Sequence, residues 1–181
     1  SHADLNADYS SVPTEMKSGA KALGHDVCRR ITVADIENDL PSLREKVGDR
    51  AVLRALHFLT ENKRVEEQIQ ALKNGDFDAF LRIVTASGNS SWKWLQNCYS
   101  PANCREQGIT VALAFTEMYL AKIGAGACRV HGGGFAGVIA VFLPCEKADE
   151  YISYIEGLLG KGNAYKMSIR GYGAVCLNDI H

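Results

Sequence analysis

The chain has 181 residues, 46% of them hydrophobic, and sets 20 basic against 21 acidic side chains. Such a length builds one substantial core, so a single domain is expected over residues 1–181, and the near-cancelled charge gives no electrostatic footprint for nucleic acid or an anionic membrane. Six cysteines (Cys28, Cys98, Cys104, Cys128, Cys145 and Cys176) occur without C-x-x-C pairs, and there is no signal segment or membrane-length apolar run. That usage points to a reducing cytoplasm and supplies no metal-ligand cluster. Ser1-His2-Ala3 fits a cloning remnant and carries no argument.

In chain order, Ser11 to Leu23 predicts a helix stopped by Gly24, with Pro13 tolerable in its first turn. Asp35 to Val47 predicts a shorter helical region broken or started at Pro41. Asp49 is expected to cap a long helix reaching about Asn74 and closed by Gly75. Val52, Leu56, Leu59, Asn62, Val65, Ile69 and Leu72 recur at three- and four-residue spacing and predict its buried stripe. Beside them run Arg54, His57, Glu61 and Arg64, one neighbouring line that reads either as a solvated face with modest ion pairing or as a buried polar network.

Asp76 then caps a helix from Phe77 to about Ala86, after which Ser87 to Asn89 is expected to break it. Trp92 and Trp94 alternate and would close the core or cover a pocket. Ser100-Pro101 opens a further helix through Leu113 and Leu120 to Gly124, with Gly108 as a costly interior glycine.

Past Gly126 the period changes. Ala127 to His131 and Val138 to Leu143 predict strands on either side of Gly132-Gly133-Gly134-Phe135-Ala136-Gly137. Ala148 to Leu159 is an amphipathic helix ending at Gly160, Tyr165, Met167 and Ile169 alternate as a strand with one covered face, and Gly173 to Leu177 offers another strand. The pattern is α+β: an antiparallel or mixed sheet of about four strands backed by helices, as in ferredoxin-like folds.

The glycine run carries the strongest functional signal. It satisfies G-x-G-x-x-G, yet a β-branched run ending at Pro144 follows it where a dinucleotide site needs a helix, so the Rossmann reading fails. No Walker A lysine motif and no protein-kinase H-R-D or D-F-G accompanies it. Two readings stay open: a tight β-connection without a ligand, or a loop whose bare backbone is approached closely by an anion or another loop.

Three stretches carry a resemblance. Arg54 to Val65 resembles the R-A-x-H-x-x-x-E-N-x-R-V helix of the galactokinase family, within the GHMP superfamily of sugar and small-metabolite kinases. Gly124 to Gly137 is similar to that family's G-A-x-M-T-G-G-G-F-G-G motif, with His131 in place of Thr and Ala136 in place of Gly. Tyr9, Glu15 and Leu23-Gly24 resemble the opening of its C-terminal domain. The likeness implies the ferredoxin-like C-terminal domain of an enzyme that moves the γ-phosphoryl group of ATP to the anomeric hydroxyl of galactose with Mg²⁺. The family's catalytic Asp/Arg pair and phosphate loop belong to an N-terminal domain whose signatures do not occur here.

Carried over by residue, Gly132, Gly133, Gly134, Phe135, Ala136 and Gly137 would support that phosphate loop, and Tyr9 would contribute to the sugar pocket. Arg54, His57, Glu61 and Arg64 are assigned a structural network, and no catalytic residue is assigned. The implied partners are the N-terminal kinase domain, galactose and ATP; the stretch alone is expected to be inactive and to hold no cofactor. A galactose-sensing module on the same scaffold, or a kinase for another sugar, are the alternatives.

Overall fold

The computed structural model of the chain describes residues 5–169 and 171. Seven α-helices and one two-stranded antiparallel sheet make it a mixed α+β protein among those residues. Residues through Pro144 form one compact unit and Cys145 onward a second.

Helix α1 (Asn6–Ala22) begins ahead of Ser11, which places Pro13 inside the helix, where it withholds the N–H that the Tyr9 carbonyl would otherwise accept. The expected second region is two helices, α2 (Val33–Asn38) and α3 (Leu40–Val47). A reciprocal capping box starts α2: the Thr32 hydroxyl accepts from the Asp35 N–H at 3.2 Å, and the Thr32 N–H donates to Asp35 Oδ2 at 2.7 Å. Pro41 sits in the first turn of α3, where a missing N–H costs nothing.

The long helix α4 (Asp49–Lys73) is capped by Gly48 and not by Asp49, whose carboxylate instead accepts from Arg44 Nε at 2.6 Å. Ala20, Cys28, Ile31, Ile36, Leu43, Val52 and Ala55 form a core joining α1 to α4, with Leu56 and Leu59 partly buried against it. The stripe stays covered only that far. Val65, Ile69 and Leu72 expose 49%, 45% and 54% of their surface, and Ala71 is the buried position near the end of the helix. Helical spacing fixes which residues share a face, whereas burial needs a neighbour along that face.

Helix α5 (Phe77–Ser90) is capped as expected, the Asp76 carboxylate accepting from the Ala79 N–H at 2.8 Å. It does not break at Ser87. Gly88 lies inside it because the helix presses on a strand there: an added Cβ would sit 3.0 Å from Arg129 Cβ and 3.1 Å from the Cys128 carbonyl oxygen. The chain then makes a π turn (Ser91–Leu95), closed by the Gln96 N–H on the Ser91 carbonyl at 2.7 Å, and leaves it through Gln96 at φ 58°. That turn leaves Trp92 exposed and Trp94 half-buried, with the Arg64 guanidinium 5.9 Å from its ring, so neither tryptophan closes the core.

Ser100-Pro101 opens only a 3₁₀ turn (Pro101–Asn103), and α6 (Gly108–Ile123) starts at Gly108, which is therefore a first-turn residue and not an interior one. Strands β1 (Ala127–His131) and β2 (Val138–Phe142) pair antiparallel, with Cys128 opposite Val141 and His131 opposite Val138. Helices α5 and α6 pack on this hairpin.

In the second unit, α7 (Ala148–Leu159) ends at Gly160 as expected, and the Gly162 N–H donates to Glu156 Oε1 at 2.7 Å. The alternating Tyr165, Met167 and Ile169 form no strand and are almost fully exposed. Alternation supplies a face, but a strand also needs an edge with which to exchange hydrogen bonds. Of the expected four strands, two are present among the described residues; Gly173 to Leu177 lies outside them, as does Ser1-His2-Ala3.

Candidate functional site

The glycine run is the turn of the β1–β2 hairpin, and its geometry follows from where glycine is required. Gly132 and Gly134 have φ of 72° and 82°, the left-handed region that costs other residues about 1–2 kcal/mol. Phe135 also sits there, at φ 57°, and is nearly fully buried. Its ring meets the Tyr9 ring edge to face at 5.2 Å, an apolar anchor that offsets the strain. Ala136 and Gly137 have no positive φ, which explains how alanine is accommodated where the resembled motif has glycine.

Three amides of this turn are bonded to carbonyls. Phe135 N–H donates to the Asn97 carbonyl at 2.6 Å, and the Ala136 and Gly137 N–H groups donate to the Gly134 carbonyl at 2.7 and 3.1 Å. Tyr9 Oη donates to that same carbonyl at 2.9 Å. An added Cβ on Gly133 would stand 2.6 Å from Tyr9 Cε1, and one on Gly134 would fall on the Asn97 backbone. The turn is a side-chain-poor crest held between α1 and the segment after the π turn, with Gly132, Gly133, Ala136 and Gly137 on its exposed side. His131 is exposed at its foot.

Arg54, His57, Glu61 and Arg64 fall into three polar groups along α4: Arg54 with α1 and the π turn, His57 with Ser90, and Glu61 with Arg64, Ser87 and Arg129. Arg54 is 1% exposed; Nε donates to the Leu95 carbonyl at 3.0 Å, and Nη1 reaches Ser11 Oγ at 2.8 Å and Glu15 Oε2 at 3.0 Å. Arg50 holds the same Glu15 carboxylate through Nη2 at 2.5 Å. Glu61 accepts from Arg64 at 2.8 Å and from Arg129 at 3.2 Å, with Ser87 bridging Glu61 and Arg129. Arg129 Nη2 also donates to Ser91 Oγ at 3.3 Å, which ties strand β1 to the π turn.

Burial and charge set the protonation of these groups. Desolvation lowers the His57 pKa to about 4, against a smaller upward pull from Glu61, so the ring that meets Ser90 Oγ at 2.9 Å is neutral near pH 7. For Glu61, burial pushes the carboxyl up, but the Ser87 and Arg64 hydrogen bonds and the Arg129 charge outweigh it and hold the group below its ordinary value. Burial, with a smaller push from the Glu117 charge, raises Cys98 to about 11, against a partial pull from Arg129, and Cys128 to about 12, so both stay thiols near neutral pH. Among the described residues no three His, Cys, Asp or Glu side chains gather as a metal site.

The structure thus brings Tyr9 and the glycine turn together, and Arg129 on β1 ties the hairpin to Glu61 on α4. Sequence reading missed Arg129, Ser87, Ser91 and Asn97. Arg129 had a signal: a lone cation between Cys128 and Val130 in an apolar strand needs a buried partner. The serines and Asn97 had none, because they acquire roles only when α5 and the π turn meet β1.

The described residues thus place a glycine-crested hairpin on helices whose ion pairs reach from α4 to α1 and β1. No protein-family profile matches the chain. It is 31% identical over 140 residues to "Galactokinase" of Thermotoga petrophila, covering 77% of this chain and 35% of that protein. The human "Galactokinase" is 27% identical over 178 residues, 97% of this chain and 41% of that protein, and the Streptomyces coelicolor "Galactokinase" 29% over 157 residues, 86% and 37%. The chain is a relative of the galactokinases, matching their C-terminal part, and it spans well under half the length of these relatives.

Proposed function

We propose that this chain is the C-terminal domain of a galactokinase, which at full length transfers the γ-phosphoryl group of ATP to the anomeric hydroxyl of galactose, giving galactose 1-phosphate in the cytoplasm. The reading rests on one conjunction: likeness to galactokinases over most of the chain, and within it a crest whose exposed side lacks side chains beyond Cβ. Its partner is the N-terminal kinase domain, which supplies the phosphate loop and the reactive groups. ATP with Mg²⁺ provides the phosphoryl group and its charge neutralisation.

The residues of this chain act as a wall. Phe135, Ala136 and Gly137 spend their amides inside the fold, so the turn supports a phosphate loop by close backbone packing and does not hold phosphate with those three donors. Tyr9 spends its hydroxyl on the Gly134 carbonyl, leaving its ring to bound the sugar pocket. Arg54, His57, Glu61 and Arg64 hold the helices that carry this wall. The two-stranded hairpin belongs in this reading to a ferredoxin-like sheet of the GHMP kinase kind, to which Tyr165–Ile169 adds no strand.

The test is product formation from galactose, ATP and Mg²⁺. The full-length gene product forms galactose 1-phosphate, residues 1–181 alone form none, and Gly133→Val in the full-length protein, which drives a side chain into Tyr9, abolishes turnover. Full turnover by residues 1–181 alone would overturn the division of labour. A full-length protein that binds galactose and ATP without turnover would be a sensor on this scaffold, and turnover of a different sugar only would reassign the substrate.

A further inference from the structure

The crest is supported from beneath by Asn97, 36 positions earlier in the chain and 3% exposed. Its backbone carbonyl accepts from the Phe135 N–H at 2.6 Å, and its Nδ2 donates to the Gly133 carbonyl at 3.3 Å. The same backbone fills the space that a side chain on Gly134 would need. Asn97 is itself held in place: it follows the π turn, whose last carbonyl, that of Leu95, accepts from buried Arg54 at 3.0 Å and whose Ser91 hydroxyl accepts from Arg129 at 3.3 Å.

One further observation separates this residue from ordinary packing. Asn97 Oδ1 is buried without a hydrogen-bond partner, which destabilises the fold. An apolar side chain of similar size would avoid that cost, but only the amide reaches the Gly133 carbonyl as a donor. Because the Gly133–Gly134 peptide is planar and trans, fixing that carbonyl also fixes the direction of the Gly134 N–H on its opposite side.

The geometry points to Asn97 as a positioning residue: it sets the height and tilt of the Gly133–Phe135 crest from the π turn that Arg54 and Arg129 hold, and the crest in turn aligns the phosphate-bearing ligand. This rests on the proposed function, in which the crest abuts the ATP-holding loop. Asn97 touches no substrate and takes no proton.

The test uses Asn97→Ala and Asn97→Asp in the full-length protein. Asn97→Ala is expected to lower kcat by about ten- to a hundredfold, the scale of a small misplacement of reacting groups, with KM for sugar and for ATP nearly unchanged. It is also expected to speed hydrogen exchange at the Phe135 amide. An ionised aspartate cannot donate to the Gly133 carbonyl, whereas a protonated one can, and burial favours the protonated form. The kcat of Asn97→Asp relative to wild type therefore rises as the pH is lowered, while that of Asn97→Ala does not.

Unchanged kcat in Asn97→Ala, or an Asn97→Asp profile parallel to that of Asn97→Ala at every pH, would overturn the assignment. If the wild-type protein phosphorylates no sugar, the proposed function falls. Phe135 exchange in Asn97→Ala then decides the present proposal separately, faster exchange supporting it and unchanged exchange overturning it.

Discussion

Along α4, the half before Arg64 and the half after it carry the same apolar spacing but meet different surroundings. In the first, Arg54 and His57 are buried because Glu15, Ser11, Ser90 and the Leu95 carbonyl answer their polar atoms. In the second, Val65, Ile69 and Leu72 stay about half in solvent. The contrast shows that a side chain's fate follows what the neighbouring element offers it, so a cation with three partners goes inside while a leucine with no facing surface does not.

The contrast breaks most sharply at Arg54. Arg54→Ala strands the partly buried acceptors of Ser11 and Leu95 and weakens the hold on Glu15, and should cost about 3 kcal/mol in urea unfolding. A loss below about 1 kcal/mol would mean that these contacts contribute little.

Acid tests the same half. Above pH 6.5 His57 is neutral in both folded and unfolded chains and adds no pH dependence; between 6.5 and its folded value of about 4 only the unfolded chain takes up the proton, so stability falls by about 3 kcal/mol across that window. Glu61, whose pKa is lowered, gives stability that is present above the unfolded carboxylate pKa and lost as the pH drops through its lower folded value. His57→Asn should flatten the upper part of this slope and leave the lower part, as read from melting temperature against pH.

Ser87→Ala removes the hydroxyl shared by Glu61 and Arg129 but leaves their direct contact at 3.2 Å, and should cost about 2 kcal/mol in the same unfolding measurement. At the other half, Leu72→Ser should change stability by no more than about 0.5 kcal/mol. A loss several times larger would show that this face is covered in solution.

The hairpin was legible because its signals are local: a β-branched run between Gly137 and Pro144, preceded by glycines, leaves few alternatives. Asp76 was legible as a cap for the same reason. Ser87 to Asn89 misled because those residues also suit a loop; Gly88 is retained inside α5 by the approach of β1, a contact between distant segments. The Val65–Leu72 stripe and the Tyr165–Ile169 alternation misled alike, since periodicity marks a face without naming what lies across it. Tyr9 and the glycine run could be singled out by likeness, but the clamp between them, with Asn97 beneath, exists only once α1, the π turn and β1 converge.

The π turn has a consequence for how this protein tolerates changes in length. A π turn accommodates an extra residue within helical winding, so removing any one position between Ser91 and Gln96 would let the segment relax to ordinary α-helix. Everything beyond would then swing by about 100° around the helix axis. Asn97 would face away from the crest while every side chain in the site kept its identity. Here spacing carries information that residue type does not, and a variant shortened by one residue at this point would lose its alignment with no substitution to show for it.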